Sequence, residues 1–475
     1  MKRITFWVLL TLLCLLPLFA VAENEPLFNA IDGETGKWGY INRAGEWVIP
    51  PQFDGAYPFY GDYAVAAMRP TEDAPPDQWG RWLDREGVID REGNWVLPPA
   101  YFIDTRYTYD DFDGLWVVTS IDDFTTDLDE DGNEILVESL EGFFDVETGY
   151  FSGLKWFSVC GWYKGSALVA VADASLRVGY ADRTTGELVI PCLYYAIWPG
   201  RFSEGVVVTA LLDENFEPSE FFMMDETGAM IQLPDNLMVE EDYEASEGLM
   251  RVRDRETGLI GFVDLQGHPV IAPKFAWAEN FEDGYSAVRF PEGDWGYIDR
   301  AGTVIHRGIV YDSEYFGPDR ENGVYVLQTG DSEWSAFTIT GDRLFSIRRE
   351  NLVALYAPED NGLCWFATDP SGDARHWSQH HRFGLVDISG NVVSEAVWER
   401  ADVDAGRFPE GLQPVTQRID GQRKWGYLNE QGELALPLIY DAAYNFYDGL
   451  AYAETGGLCG YIDHDGNFVY AWNEE

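Results

Sequence analysis

Short apolar runs separated by polar turn signals recur along the whole chain. Residues 37–54, KWGYINRAGEWVIPPQFD, show the pattern: an apolar stretch from Gly39, the turn signal Asn42-Arg43-Ala44-Gly45, and a second apolar stretch from Glu46 to Ile49. An Asn or Asp side chain bonds the turn backbone two residues on, and a Gly in the fourth place takes positive φ, so Asp/Asn-x-x-Gly predicts a short hairpin with a bulge. Proline has no N–H to give to a ladder, so Pro50-Pro51 are expected to end the second strand. A loop carrying Phe53 then leads to a third strand, Tyr63 to Met68. Each unit reads as an antiparallel meander of three or four strands.

The same eighteen-residue phrase returns without insertion as KWGYLNEQGELALPLIYD at 424–441. Its frame recurs as GVIDREG (87–93), GFFDVETG (142–149), GYADRTTG (179–186), GFVDLQG (261–267), GYIDRAG (296–302), GLVDISG (384–390) and GYIDHDG (460–466), with degenerate copies FMMDETG (222–228) and SAFTITG (335–341). The anchors near 39, 87, 142, 179, 222, 261, 296, 335, 384, 426 and 460 lie about 42 residues apart on average. A second landmark keeps the phase: an aromatic, an acidic or polar residue and Gly before an apolar run, as in FSEGVVV (202–208), FEDGYSAV (281–288) and FYDGLAYA (446–453). In WGRWLDREGVIDREGNW (79–95) the turn signal occurs twice, so the second unit anchors at Gly80 or Gly87, and the long intervals 87–142 and 335–384 mark insertions.

A sheet this small cannot bury both its faces alone, so neighbouring sheets must stack with Trp, Phe and Tyr between them. The predicted fold is all-β: tandem antiparallel β-meander repeats of about 42 residues, roughly ten units over 23–475, stacked in a propeller-like or superhelical array. A single ring of that size exceeds the usual propeller range of about four to eight blades, which leaves two smaller rings or an open spiral. Only one hairpin follows Gly460, and Leu27 to Ile31 could supply its missing strand if the array closes.

Lys37-Trp38-Gly39-Tyr40, Asp294-Trp295-Gly296-Tyr297 and Lys424-Trp425-Gly426-Tyr427, each followed by Asp/Asn, Gly and a downstream aromatic-x-x-Gly, resemble the bacterial WG-repeat family. The resemblance spans about residue 27 to 475 and implies a β-rich repeat scaffold, often exported, that carries no catalytic residues to transfer.

Composition narrows the rest. Hydrophobic residues at 46% and aromatics at 15% supply a core and argue against disorder. A formal net charge of −50 repels phosphate backbones and excludes nucleic acid as a partner. MKRITFWVLLTLLCLLPLFAVAE places basic Lys2 and Arg3 before an apolar run and Ala20-Val21-Ala22, a secretory signal (1–22) cut after Ala22; the alternative is an uncleaved anchor helix. The expected location is secreted or on the cell-envelope exterior of a bacterium, with no stable membrane span after cleavage. Cys160, Cys192, Cys364 and Cys459 remain, with three pairings open to them or none.

The sharpest candidate for chemistry is DLDEDGNEILVE (127–138), which fits a calcium loop with Asp127, Asp129 and Asp131 as single-oxygen ligands, Gly132 at the turn and Glu138 giving both oxygens. Glu134 stands where such a loop has an apolar residue, and the flanks do not read as helices, so an inserted hairpin turning at Asp129 to Gly132 competes with it. His376, His380 and His381 cluster in HWSQHH, read as a solvated loop or a weak metal site. Trp47, Trp82, Trp95, Trp116 and Trp198 are candidate sugar platforms or, more simply, packing residues. No Gly-x-Ser-x-Gly elbow, phosphate-binding glycine loop or His-Glu-x-x-His is present. The expected function is an exported, non-enzymatic scaffold presenting an extended surface to a protein or glycan. The alternatives are a calcium-dependent extracellular module built on 127–138 and a hydrolase on a propeller-like scaffold.

Overall fold

The computed structural model describes residues 25–69, 84–104, 114–120, the strand backbones of 126–128 and 134–136, 140–161, 165–195, 202–213, 217–241, 243–310, 320–358, 361–371, 381–401 and 408–473. Among them the chain is all-β, with one 3-10 turn at Pro409–Gly411. Each complete unit is a four-stranded antiparallel sheet whose strands, here a to d, pair in chain order. In the sixth unit they are Leu237–Met238, Leu249–Asp254, Ile260–Asp264 and Pro269–Phe275. Eleven units follow one another, one per anchor; the second and third fuse, because the ten-residue strand Trp95–Asp104 pairs on one side with Arg85–Ile89 and on the other with Leu115–Ser120.

Burial follows from stacking. Strands b and c are buried along most of their length, as in Leu168–Ala172 and Ile260–Asp264, because both faces of each sheet meet a neighbour. Strand d alternates with the same pattern in Leu188–Tyr194, Pro269–Phe275 and Leu434–Tyr440, where only its third and seventh residues are buried. The core is correspondingly divided, with one apolar cluster lying between each pair of successive units. Leu168, Tyr180, Phe202 and Met224 join the fourth to the fifth; Trp365, Trp398, Val415 and Leu428 join the ninth to the tenth.

The circuit closes. Phe28, Ala30 and Ile41 of the first unit pack with Leu450, Tyr461 and Trp472 of the last. Tyr461 donates to the Asn29 carbonyl at 3.0 Å and Tyr470 to the Ile31 carbonyl at 3.2 Å. Arg43 donates to the Asp448 carbonyl at 2.7 Å. A single closed array of eleven units replaces the expected choice between two rings and a spiral. The N-terminal strand does not complete the last sheet: Phe28–Ile31 pairs with Trp38–Ile41 in the first, and the last sheet has its own four strands from Ala442 to Asn473. Two-residue a strands escape a reading that looks for apolar runs.

The prolines also depart from expectation. Strand d runs through Pro50-Pro51, from Trp47 to Phe53. Trp38 pairs with Phe53 and Tyr40 with Ile49, so strand d bulges between them and swings its backbone against Gly39. A Cβ on Gly39 would lie 2.5 Å from the Ile49 carbonyl oxygen and 2.8 Å from the Pro51 nitrogen. The bulge tolerates residues without an N–H on a sheet edge, and it requires a residue without a side chain opposite. In the eighth unit Ser335 fills the Gly place, and there the pairing of Trp334, Ser335 and Ala336 with Ile347, Ser346 and Phe345 runs without that bulge.

The two landmarks of the repeat touch. The ring following the Gly of strand c packs edge-on or tilted against the aromatic of aromatic-x-x-Gly: Tyr40 on Phe59 at 4.7 Å, Tyr180 on Phe202 at 4.8 Å, Phe262 on Phe281 at 4.9 Å, Tyr427 on Phe446 at 5.0 Å. Such pairs contribute about 0.5–1.5 kcal/mol each beyond their buried area. The ends of the repeated phrase meet as well, through Lys37 with Asp54 at 2.7 Å and Lys424 with Asp441. Phase is kept because both landmarks serve one packing contact.

Candidate functional site

Antiparallel order puts the a–b and c–d turns on one face of the array and the b–c and d–a connections on the other. On the first face the c–d turns keep one form. In the c–d turn Asn42 Oδ1 accepts from the Ala44 and Glu46 amides, both at 3.0 Å, while Gly45 takes φ 77°. Asp299 repeats this with Ala301 and Thr303, Asp463 with Asp465 and Asn467. Hydrogen bonds hold such carboxyls below the ordinary range: in the c–d turn of the fifth unit the Thr227 hydroxyl acts first on Asp225, and in the b–c turn of the sixth unit, on the opposite face, the Thr257 amide acts first on Asp254, which falls to about 2. Many acids that look available in the sequence are therefore committed to turns.

Several a–b turns on the first face carry two successive residues with positive φ, such as Glu204 (51°) and Gly205 (80°), flanked by reciprocal Ser203 and Val206 backbone bonds. The acidic side chain of one turn accepts from the turn glycine of the next unit: Glu204 from Gly248 N at 2.7 Å, Glu247 from Gly284 N at 3.0 Å, Glu410 from Gly449 N at 3.0 Å. These carboxylates tie neighbouring sheets together.

The other face varies. Its b–c connection is two residues in the last unit, between Thr455 and Leu458, but runs 69–84 in the second unit, 121–140 in the third and 369–381 in the ninth. In the tenth unit the b and c strands themselves lengthen, Leu412–Ile419 and Gln422–Asn429, eight residues each against five in the last unit. Beyond the strand-c glycine each strand runs two residues further than in the last unit, about 7 Å further out. Arg418 and Arg423 stand directly opposite on this hairpin, an arrangement that repels. Both lean on Glu399, 9% exposed, at 3.5 and 3.9 Å, and Arg382 reaches the same carboxylate at 3.2 Å.

The sequence candidates fall mostly on this variable face. Asp127 lies in Thr126–Leu128, which pairs antiparallel with Glu134–Leu136 and sets Asp127 opposite Ile135. Asp129, Asp131 and Glu138 lie outside the described residues, as do His376, His380, Trp82, Trp198 and the leader 1–22. His381 is buried, its Nε2 3.8 Å from Asp369 Oδ2. No group of three metal-ligating side chains occurs among the described residues. Trp47 packs on Tyr470, Trp95 on Phe53 and Trp116 on Phe144, so these three serve the stack. The four cysteines are free thiols, and burial pushes Cys160 up to about 11. Among the described residues no helix is long and apolar enough to cross a membrane.

Two hollows open on the surface of the described residues. One of about 430 Å³ has Trp156 and a single carboxylate, Asp173, which is bonded to the Ser175 and Arg177 amides. Another of about 340 Å³ has Glu279 and Glu282 but no tryptophan, and Glu282 pairs with Arg320 at 3.4 Å. Neither sets two carboxylates beside an exposed indole. The arginine cluster was missed from sequence, although Asp420-Gly421 is a hairpin signal that puts Arg418 across from Arg423. Glu399 carried no signal, being brought there by the adjoining unit.

The sequence profile described as WG containing repeat matches residues 38–68, 87–101, 179–209, 260–290 and 425–459. No curated protein matches the sequence. Among solved structures, one titled as the crystal structure of the eukaryotic initiation factor is similar at 10% identity over 78% of this chain and 94% of that one, with a TM-score of 0.38. BamB from Moraxella catarrhalis is similar at 14% identity over 74% and 96%, with a TM-score of 0.30. The C-terminal WD40 domain of Sif2 is similar at 12% identity over 55% and 75%, with a TM-score of 0.25.

Proposed function

The chain belongs to the WG-repeat family, and from that premise we propose that it is an exported, non-enzymatic scaffold whose variable face binds a protein or glycan ligand. One observation carries the reading: the longest connections between strands, 69–84, 121–140 and 369–381, all fall at b–c positions, while the c–d turns of the opposite face keep the Asp/Asn-to-Gly form and acidic side chains of its a–b turns bond the neighbouring unit. Loops freed from the stacking pattern are where a rigid repeat places recognition. Export is supported by the leader at 1–22.

The test uses the mature chain as bait against envelope and medium fractions of its host. A variant with 418–423 shortened to a two-residue turn is compared with one altered at the opposite face, Glu204→Gln. Capture lost only in the first supports the proposal. Capture that survives in the first and fails in the second overturns it.

A further inference from the structure

We propose that the protruding hairpin of the tenth unit, together with Arg382 of the ninth, binds an acidic segment of extended polypeptide. The inference rests on the face assignment above and names its ligand chemistry. Arg382, Arg418 and Arg423 converge on one carboxylate, Glu399, and Arg418 and Arg423 are 59% and 51% exposed. Among the described residues Asp420 at the hairpin turn makes no ion pair with either arginine, and Lys424 is committed to Asp441. The two exposed guanidinium groups of Arg418 and Arg423 therefore share a single carboxylate that Arg382 also holds, on a chain whose net charge is −50. Stacking does not need this: in the last unit a five-residue hairpin serves the same sheet position.

Glu399 itself shows which chemistry the cluster accepts, since planar guanidinium forks match a carboxylate. The backbone supplies the second half of the site. Strand b is paired with strand a only as far as Thr416, opposite Arg400, and strand c with strand d only from Trp425, opposite Tyr440. Residues 417–419 and 422–424 pair with each other and have no strand on their outer sides among the described residues. An extended segment laid along either edge completes the ladder and brings alternate carboxylates to the arginines. A second copy of the hairpin pairing edge to edge would instead add Arg418 and Arg423 to themselves.

The experiment titrates the mature chain into a fluorescein-labelled hexaglutamate peptide and reads anisotropy. Saturable binding is expected, weakened about tenfold or more in the double variant Arg418→Gln, Arg423→Gln, as for loss of paired charges at an interface. Glu399→Gln removes the competing carboxylate while keeping a hydrogen-bonding side chain, and is expected to tighten binding about threefold or more. A purely structural role for the arginines would leave the Glu399→Gln affinity no better than wild type, and that result overturns the proposal. So does binding of a polyuronate with no binding of the peptide, which would make the site one for an acidic glycan. Loop-dependent capture from host fractions without hexaglutamate binding would keep the face reading and remove this one.

Discussion

Replacing Gly39 by alanine tests the packing logic of the repeat. The new methyl would sit 2.5 Å from the Ile49 carbonyl oxygen, 2.8 Å from Pro51 N and 2.9 Å from Pro50 C, all backbone atoms of the bulged strand. Ordinary contact begins near 3.4 Å, so strand d must retreat by several tenths of an ångström or lose its bulge. Overpacking of this kind costs about 1–3 kcal/mol, and the reduced freedom of the unfolded chain returns about 0.4–1 kcal/mol. The expected net loss is about 1–2 kcal/mol. Gly33→Ala is the control: it lies six residues away in the same unit, and its Cβ would meet only Trp472 Cβ at 3.9 Å. Urea denaturation followed by tryptophan fluorescence should lower the midpoint for Gly39→Ala and leave Gly33→Ala level or slightly raised. Equal midpoints for the two variants would refute the reasoning. The same close approach at Gly87, Gly261 and Gly426 predicts the same sign there.

Asp254 is held near 2, below its unfolded value, so the stability it contributes is complete above about pH 4 and disappears as the pH falls through the folded value. Asp254→Ala should therefore lower the urea midpoint at pH 6 and converge on wild type near pH 2 to 3, as urea titrations at stepped pH will show. Phe28→Ala removes a buried ring packed on Tyr461 at the seam, at a cost of about 3–5 kcal/mol. Hydrogen exchange should then rise in 28–31 and 468–473 and stay unchanged in the sixth and seventh units. If the stacked core rather than a metal holds the array, thermal melting with and without a chelator gives the same midpoint. A chelator-dependent fall would favour the calcium reading of Asp127 to Glu138.

Sequence alone determined the unit. The Asp/Asn-x-x-Gly turn, its glycine with positive φ and the strands on either side depend on neighbours a few residues apart, so they are legible wherever the phrase occurs. The need for stacking was legible too, because a small sheet with two apolar faces has no other way to bury them. What the tertiary structure decided depends on residues far apart in the chain. Closure rests on Tyr461 with Asn29 and Arg43 with Asp448, where small rotations between successive sheets add up to a meeting of the ends that no local pattern encodes. The Gly of Trp-Gly looked like a strand start and proved to be the clearance for a bulge in the adjoining strand d. The arginine cluster exists because Glu399 arrives from the end of one sheet beneath the hairpin of the next. Local hydrogen bonding can be read along a chain, whereas the meeting of separate units is set by how their surfaces pack.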